Sequence, residues 1–372
     1  MGKKMKTAVI GSGRISSEYL RNMTRVFNNL EVVACSSANM ESARKRAAEF
    51  GIEARTNEEI FQDPAIELVV VLVPAPAHYQ LIERTLLSGK HVYTEKTMTV
   101  DLEDARHLVA LANEKGLYLG SAPDTFLGAA WQTARKALDD GIVGDVISFS
   151  LNVNRNIDFM ASLFEFLRLP GGGFAYDYGV YYLTALVALL GPVESLFANV
   201  KNKAAVRTNC APMSADFGKP YNYENESQIY ALMNLVSGVT GTVSLNGDSA
   251  LQDLALFYIY GSKCVLQLTC ANDFGGNVTL IPSSFDPLEA KPVVLENDSP
   301  ISDGNRGIGP AEMADAIFNG RPNRASKEMA FHVMDIIEQM MRSSQLQSLI
   351  KLESTCTRPE AFPTEEIKKL MQ

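Results

Sequence analysis

Lys6-Thr7-Ala8-Val9-Ile10-Gly11-Ser12-Gly13-Arg14-Ile15-Ser16 is the stretch that decides the architecture. Lys6–Ile10 is a short apolar run of strand type, and Ile15–Phe27 has helical composition. The junction reads G-x-G-x-x-S, which is G-x-G-x-x-G with Ser16 in place of the third glycine. Gly11 permits a tight turn, Gly13 lets the backbone approach a ligand, and a small residue at 16 keeps helix and strand close. The unpaired N–H groups and the dipole at the start of such a helix favour an anion, and a pyrophosphate fits this loop. Alone, the motif is no more than a turn, and its meaning depends on the chain around it.

That surrounding chain alternates. Leu30–Ser36 is a second buried strand and Met40–Phe50 a polar-faced helix. Leu68–Val73 has six apolar residues in succession, as in a central parallel strand covered on both faces. His78–Ser88 is a helix closed by Gly89, Lys90–Thr94 a strand, Leu102–Lys115 a helix stopped by Gly116, and Leu117–Ser121 a last strand. The pattern predicts an α/β chain opening with a Rossmann fold on a parallel sheet, residues 1–123. After Pro123 the rhythm changes. One helix, Ala130–Asp139, precedes Val146–Asn154, Ser227–Val236, Thr240–Asn246, Leu254–Tyr260, Cys264–Leu268 and Val278–Ile281. These successive strands predict a C-terminal α+β domain, 124–372, with a largely antiparallel sheet. Its terminal helices, Pro310–Asn319 and Ser326–Ser343, are free to pack back on the Rossmann domain. Gly173–Leu190 reads as a mostly apolar, buried helix, and Arg207–Glu226, rich in Pro, Asn and Gly, as a surface loop or lid.

Composition agrees with two domains. At 372 residues the chain exceeds what one core usually serves, and 46% hydrophobic with 21% charged residues is ordinary globular usage. A net charge of −9 argues against a nucleic-acid partner, which would need a basic face. The five cysteines are odd in number, scattered and without a C-x-x-C pair, so neither a disulfide framework nor a metal site is expected. No apolar run approaches the ~20 residues of a membrane span, and the first strand is too short for a signal segment. A cytoplasmic setting is therefore expected, with no membrane partner.

Gly11, Ser12, Gly13, Arg14 and Ile15 are the candidate pyrophosphate contacts. An NAD site usually places Asp or Glu at the end of the second strand. Here Ser36 and Ser37 stand there, followed by Arg44, Lys45 and Arg46 on the next helix. The cofactor is NAD or NADP, and the missing carboxylate tilts the reading to NADP. Pro74, Ala75 and Pro76 form a rigid loop edge for a flat ring. His78 starts a helix, either packed there or acting as a base. Thr94-Glu95-Lys96-Thr97 follows the next strand. Ligands bind beyond the carboxyl ends of such strands, so Lys96 is either a proton-handling group or a surface lysine capping the strand. Asn154 and Arg155 end the first strand of the second domain and are candidate substrate contacts, with Arg168 a further one. Asp177 and Tyr181 lie four apart and share one helical face.

Together, Glu95-Lys96, Pro74-x-Pro76-x-His78, Ala122-Pro123-Asp124-Thr125-Phe126-Leu127-Gly128, Gly171-Gly172-Gly173-x-x-x-Asp177-x-Gly179-x-Tyr181 and Arg306-Gly307-Ile308-Gly309 resemble the Gfo/Idh/MocA family over nearly the whole chain. The resemblance implies an open-faced sheet in the second domain, homodimers or homotetramers formed through it, and hydride transfer at a secondary alcohol of a sugar, polyol or related ring. It supports Lys96, Tyr181 and Asp177 as catalytic; Lys96, Asn154, Arg155, Asp177 and Tyr181 are the candidate substrate contacts, and His78, Glu95 and Lys96 join the candidate cofactor contacts. Two departures stand out. Thr97 replaces the proline of Glu-Lys-Pro, and Tyr181 replaces a histidine, as in the glucose–fructose oxidoreductase and dihydrodiol dehydrogenase branch. Two other functions fit the same motifs. One is a redox-neutral lyase or hydrolase with tightly bound NAD, and the other is a sugar-sensing regulator.

Overall fold

The computed structural model describes residues 2–250, 254–268, 270–284, 291–302 and 304–371. The chain begins β1 (Met5–Ile10), α1 (Ser16–Arg25), β2 (Leu30–Ser36), α2 (Met40–Phe50), β3 (Glu53–Ala54), α3 (Asn57–Gln62), β4 (Leu68–Val71), α4 (His78–Leu87), β5 (His91–Thr94), α5 (Leu102–Lys115) and β6 (Leu119–Ser121). It continues through α6 (Ala129–Asp139), β7 (Val146–Asn154), α7 (Ile157–Leu163), α8 (Val180–Leu190), β8 (Val193–Lys201), β9 (Val206–Thr208), β10 (Pro220–Asn222), β11 (Gln228–Leu235), β12 (Thr240–Asn246), β13 (Leu254–Gly261), β14 (Cys264–Leu268), β15 (Thr279–Pro282) and β16 (Val293–Val294). Last come α9 (Ile308–Asn319), α10 (Lys327–Leu346), β17 (Ile350–Lys351) and α11 (Thr364–Leu370).

Two compact units result: Met1–Leu127 with Ser299–Phe331 and Phe362–Gln372, and Gly128–Asp298 with His332–Ala361. In the first unit six strands pair in the order β3-β2-β1-β4-β5-β6, all parallel, as in a dinucleotide-binding doubly wound sheet. Leu68, Val69, Val70 and Val71 are all fully buried, so the apolar run reflects cover on both faces. Asp101 caps α5 through bonds from the Glu103 and Asp104 N–H groups, and Gly116 ends that helix in the left-handed conformation.

In the second unit nine strands run β16-β15-β14-β13-β7-β12-β11-β8-β17. Every pair is antiparallel except β7 with β12. Along β11 the burial alternates, with Ile229, Ala231 and Met233 inside and Tyr230 and Leu232 outside. Ile147, Phe197, Leu254 and Tyr260 are exposed as well, leaving an accessible apolar face on the sheet. The stretch expected as a loop or lid contains the β9–β10 hairpin. Arg207 on β9 is buried between Asp158 (2.7 Å) and Asp248 (2.8 Å), which anchors it.

Candidate active site

The Gly11–Ser16 loop has the backbone that a phosphate-binding turn requires. Gly11 has φ +116°, and a side chain there would collide with the Leu72 backbone, while a Cβ at Gly13 would meet open space. Ser16 is buried and donates to the Gly13 carbonyl at 2.6 Å, closing the turn with a hydroxyl where the motif has glycine. The helix starts without a side-chain cap, leaving the role open to an anion. Arg14 and Gly13 are exposed, whereas Ser12 is buried and bonded to Ser42 at 2.7 Å.

At the end of β2, Ser36 and Ser37 line a cavity of about 460 Å³ together with Asn57, Phe61, Leu81 and Arg84. Ser36 is buried and donates to Asn57 at 2.6 Å, so Ser37 is the more accessible hydroxyl. Arg44 and Lys45 point to solvent, and Arg46 is engaged with Ser17 and Glu49. The cation in the cavity wall is Arg84, paired with Glu58 at 2.8 Å.

Lys96 follows β5 on a half-buried turn, and its peptide bond to Thr97 is cis. Its N–H donates to the Glu95 carboxylate at 3.1 Å, and the other oxygen of that group accepts from the Tyr19 hydroxyl at 2.8 Å. The flanking Thr94 and Thr97 hydroxyls are buried with no hydrogen-bond partner among the described residues. That polar deficit beside the lysine suits a site that receives a polar ligand. Pro74 precedes a single 3₁₀ turn, Ala75–Ala77, and His78 opens α4. The His78 ring is buried between the Thr97 carbonyl (2.7 Å) and the Val73 carbonyl (2.8 Å), and burial holds its pKa below the usual value. A neutral ring there has one N–H, so His78 donates to one of these two carbonyls and packs against the other.

Asp124, from the second half of the unit's sequence pattern, is fully buried and accepts from the Gly309 N–H at 2.9 Å. Burial pushes its carboxyl up to about 6, opposed by Arg306. A raised folded pKa means the native state holds this proton more tightly than the unfolded chain. The associated stability is present at low pH and is lost as pH rises from the ordinary 3.8 through about 6. At one unit per 1.36 kcal/mol the ionised form costs on the order of 3 kcal/mol. Asp124→Asn keeps an acceptor for Gly309 and removes the charge. Its stability relative to wild type should rise between about pH 4 and pH 7, read from urea midpoints at both ends. A constant difference across that range would show that Asp124 does not titrate there.

The second unit collects its own candidates. Gly173 leads into a wider, π-helical turn, Ala175–Gly179, which passes directly into α8. Asp177 lies on that turn, half-buried, and Tyr181 in the first turn of α8, 6% exposed. The Tyr178 and Tyr182 hydroxyls meet at 3.3 Å and both approach the Cys270 thiol, while the Tyr178 ring also lies 6.4 Å from that of Tyr181. Arg155 stacks over the Tyr178 ring at 4.1 Å, bringing the end of β7 to the same helix. Asn154 accepts from Asn246 at 3.1 Å on the neighbouring β12. Arg168 is turned to the Ala161 carbonyl and the Tyr221 ring. Glu226 went unread in the sequence. Its carboxylate accepts from the Ala175 N–H at 2.9 Å, and burial pushes its pKa up to about 7. Asn57, Tyr19 and Asn246 were missed too, because each matters through a partner far away in sequence. Among the described residues no group of three or more His, Cys, Asp or Glu is placed to hold a metal ion, and no helix is long and apolar enough to cross a membrane.

A parallel doubly wound unit with this glycine loop and a second unit built on an open mixed sheet define an NAD(P)-binding protein of two-unit type. The chain belongs to the Gfo/Idh/MocA family: residues 5–122 match the oxidoreductase family with an NAD-binding Rossmann fold, and residues 131–267 match the GFO/IDH/MocA C-terminal domain. It is 25% identical over 217 residues to scyllo-inositol 2-dehydrogenase (NADP(+)) of Bacillus subtilis, covering 58% of this chain and 60% of that protein. It is 22% identical over 361 residues to D-glucoside 3-dehydrogenase of Escherichia coli, covering 94% and 97%. Several of the curated relatives are spanned over only 55–60% of their length. Levoglucosan dehydrogenase, solved with NADH and L-sorbose, has the same fold, with a TM-score of 0.81, 16% identity and coverage of 94% and 99%.

Proposed function

We propose that this chain is an NAD(P)-dependent dehydrogenase or reductase acting on a secondary alcohol or ketone of a sugar, polyol or related ring. The Lys96 turn carries the reading: a half-buried lysine beyond a parallel strand, its peptide held by a buried carboxylate and flanked by two unsatisfied hydroxyls. Gly11, Ser12, Gly13, Arg14 and Ile15 hold the pyrophosphate, Ser36 and Ser37 face the adenosine end, and Pro74, Ala75 and Pro76 rim the ring. A bound nicotinamide accepts or supplies the hydride. Lys96 and Tyr181 run the proton side of the reaction, and Lys96 also brings positive charge to the substrate oxygen. Asp177 orients the substrate, and Asn154 and Arg155 contact its hydroxyls. The activities of the named relatives support a polyhydroxylated substrate. Accumulation of reduced dinucleotide with scyllo-inositol, levoglucosan or a simple glucoside tests the reading, and failure with every polyol and both dinucleotides overturns it.

The absence of a carboxylate at the end of β2 favours NADP. Ser37→Asp places a charge at the accessible position without burying it beside Asn57. The ratio of dissociation constants, NADP over NAD, should rise about tenfold or more, because a carboxylate repels the 2′-phosphate and accepts from the ribose diol. If the ratio does not move, this strand end is not at the ribose. The exposed apolar sheet face supports a homodimer or homotetramer. A monomer at micromolar concentration in sedimentation velocity would contradict that assignment.

A further inference from the structure

The peptide that carries Lys96 leaves the sheet one residue earlier. The Glu95 N–H still donates to the Val71 carbonyl of β4 at 2.9 Å. The next N–H, that of Lys96, donates instead to the Glu95 carboxylate. The far oxygen of this carboxylate is held by Tyr19, a fully buried residue on α1, at a separation of 76 in sequence. Tyr19 lies three residues after Ser16, on the helix whose first turn forms the phosphate-binding loop. A phenylalanine would fill the same apolar slot, and a buried hydroxyl costs free energy unless it is paired. Burial and the neighbouring Glu95 also push the phenol's pKa upward, so it remains a donor.

We propose that Tyr19 is a positioning residue: through Glu95 it ties the phosphate-binding helix to the Lys96 peptide, so that dinucleotide engagement at α1 fixes the lysine backbone. The relay's catalytic consequence rests on the reading of Lys96 given above, whereas its mechanical part does not. No proton needs to move along it. The hydroxyl donates, the carboxylate accepts twice, and the result is a defined backbone position for Lys96.

Tyr19→Phe removes the hydroxyl alone. In hydrogen–deuterium exchange resolved to the segment 95–99, NAD or NADP should slow the Lys96 amide in the wild type. In Tyr19→Phe that amide should exchange about tenfold faster, and the dinucleotide should no longer slow it. The dissociation constant of the dinucleotide should stay within about threefold, because the loop glycines are untouched. With a turned-over polyol, kcat should fall about tenfold to a hundredfold at unchanged KM. In a Lys96→Ala background the same substitution should have no further effect on kcat. Unchanged exchange at Lys96 overturns the relay, as does an equal loss of kcat in both backgrounds. If Lys96→Ala itself keeps full turnover, the functional reading and the catalytic part of the relay fail together, while the exchange result still decides the mechanical part. Glu95→Gln, which keeps one acceptor oxygen, provides the second variant and should show the same loosened Lys96 amide.

Discussion

Lys96→Ala and Tyr181→Phe should each lower kcat by roughly 10²–10⁴-fold while leaving the dissociation constant of the dinucleotide nearly unchanged. Each removes a proton donor or acceptor, and neither touches the Gly11–Ser16 loop. Lys96→Ala should be the more severe, because it also withdraws positive charge from beside a developing alkoxide. The double variant should fall short of the product of the two single effects, as expected of groups acting as a unit. Steady-state kinetics on one polyol, with dinucleotide affinity measured separately by fluorescence, checks all three statements. Near wild-type turnover in both variants would remove these residues from the mechanism and leave Asp177 as the next candidate.

Gly173→Val should damage the second unit through the turn that carries Asp177. A side chain at 173 would collide with the Glu226 carboxylate, which now accepts from the Ala175 N–H at the start of the turn carrying Asp177. Glu226 can swing aside, so the stability cost should be moderate, about 1–3 kcal/mol. The larger loss should fall on turnover, because displacing that carboxylate releases the π-helical turn and moves Asp177 and Tyr181 from productive positions. A kcat at least about tenfold lower, with dinucleotide affinity retained, is the expected result. Equal losses in turnover and dinucleotide binding, with a lowered Tm, would reduce Gly173 to a structural role.

These expectations were open to sequence reading in unequal degree. The first unit was legible because its parallel strands are apolar on both faces and its helices carry plain stop signals, as Leu68–Val71 and Gly116 show. Thr56 and Glu59 form a capping box that announces α3, a local signal that went unused. Strand β8, Val193–Lys201, gave no clear alternation. Its inward face includes the small Ala198, its outward face carries the exposed Phe197, and a register shift interrupts its pairing with β11. The β9–β10 hairpin was hidden for another reason. It is pinned by Arg207 between two distant aspartates, and no periodicity encodes an ion pair across 49 and 41 residues. The site divides along the same line. Gly11, Gly13, Lys96 and Asp177 are set in recognisable local motifs. Tyr19, Asn57 and Glu226 act on the site through contacts made only on folding, and so lie beyond a reading by motif.

Hydride transfer itself can be followed directly. A polyol deuterated at the reacting carbinol carbon, incubated with excess NAD or NADP and a small amount of the protein, should deliver its label to the nicotinamide ring. Reduced, labelled dinucleotide should accumulate in solution far beyond the amount of protein present. Label that stays on the sugar, or reduction that never exceeds one equivalent per chain, would contradict a dehydrogenase.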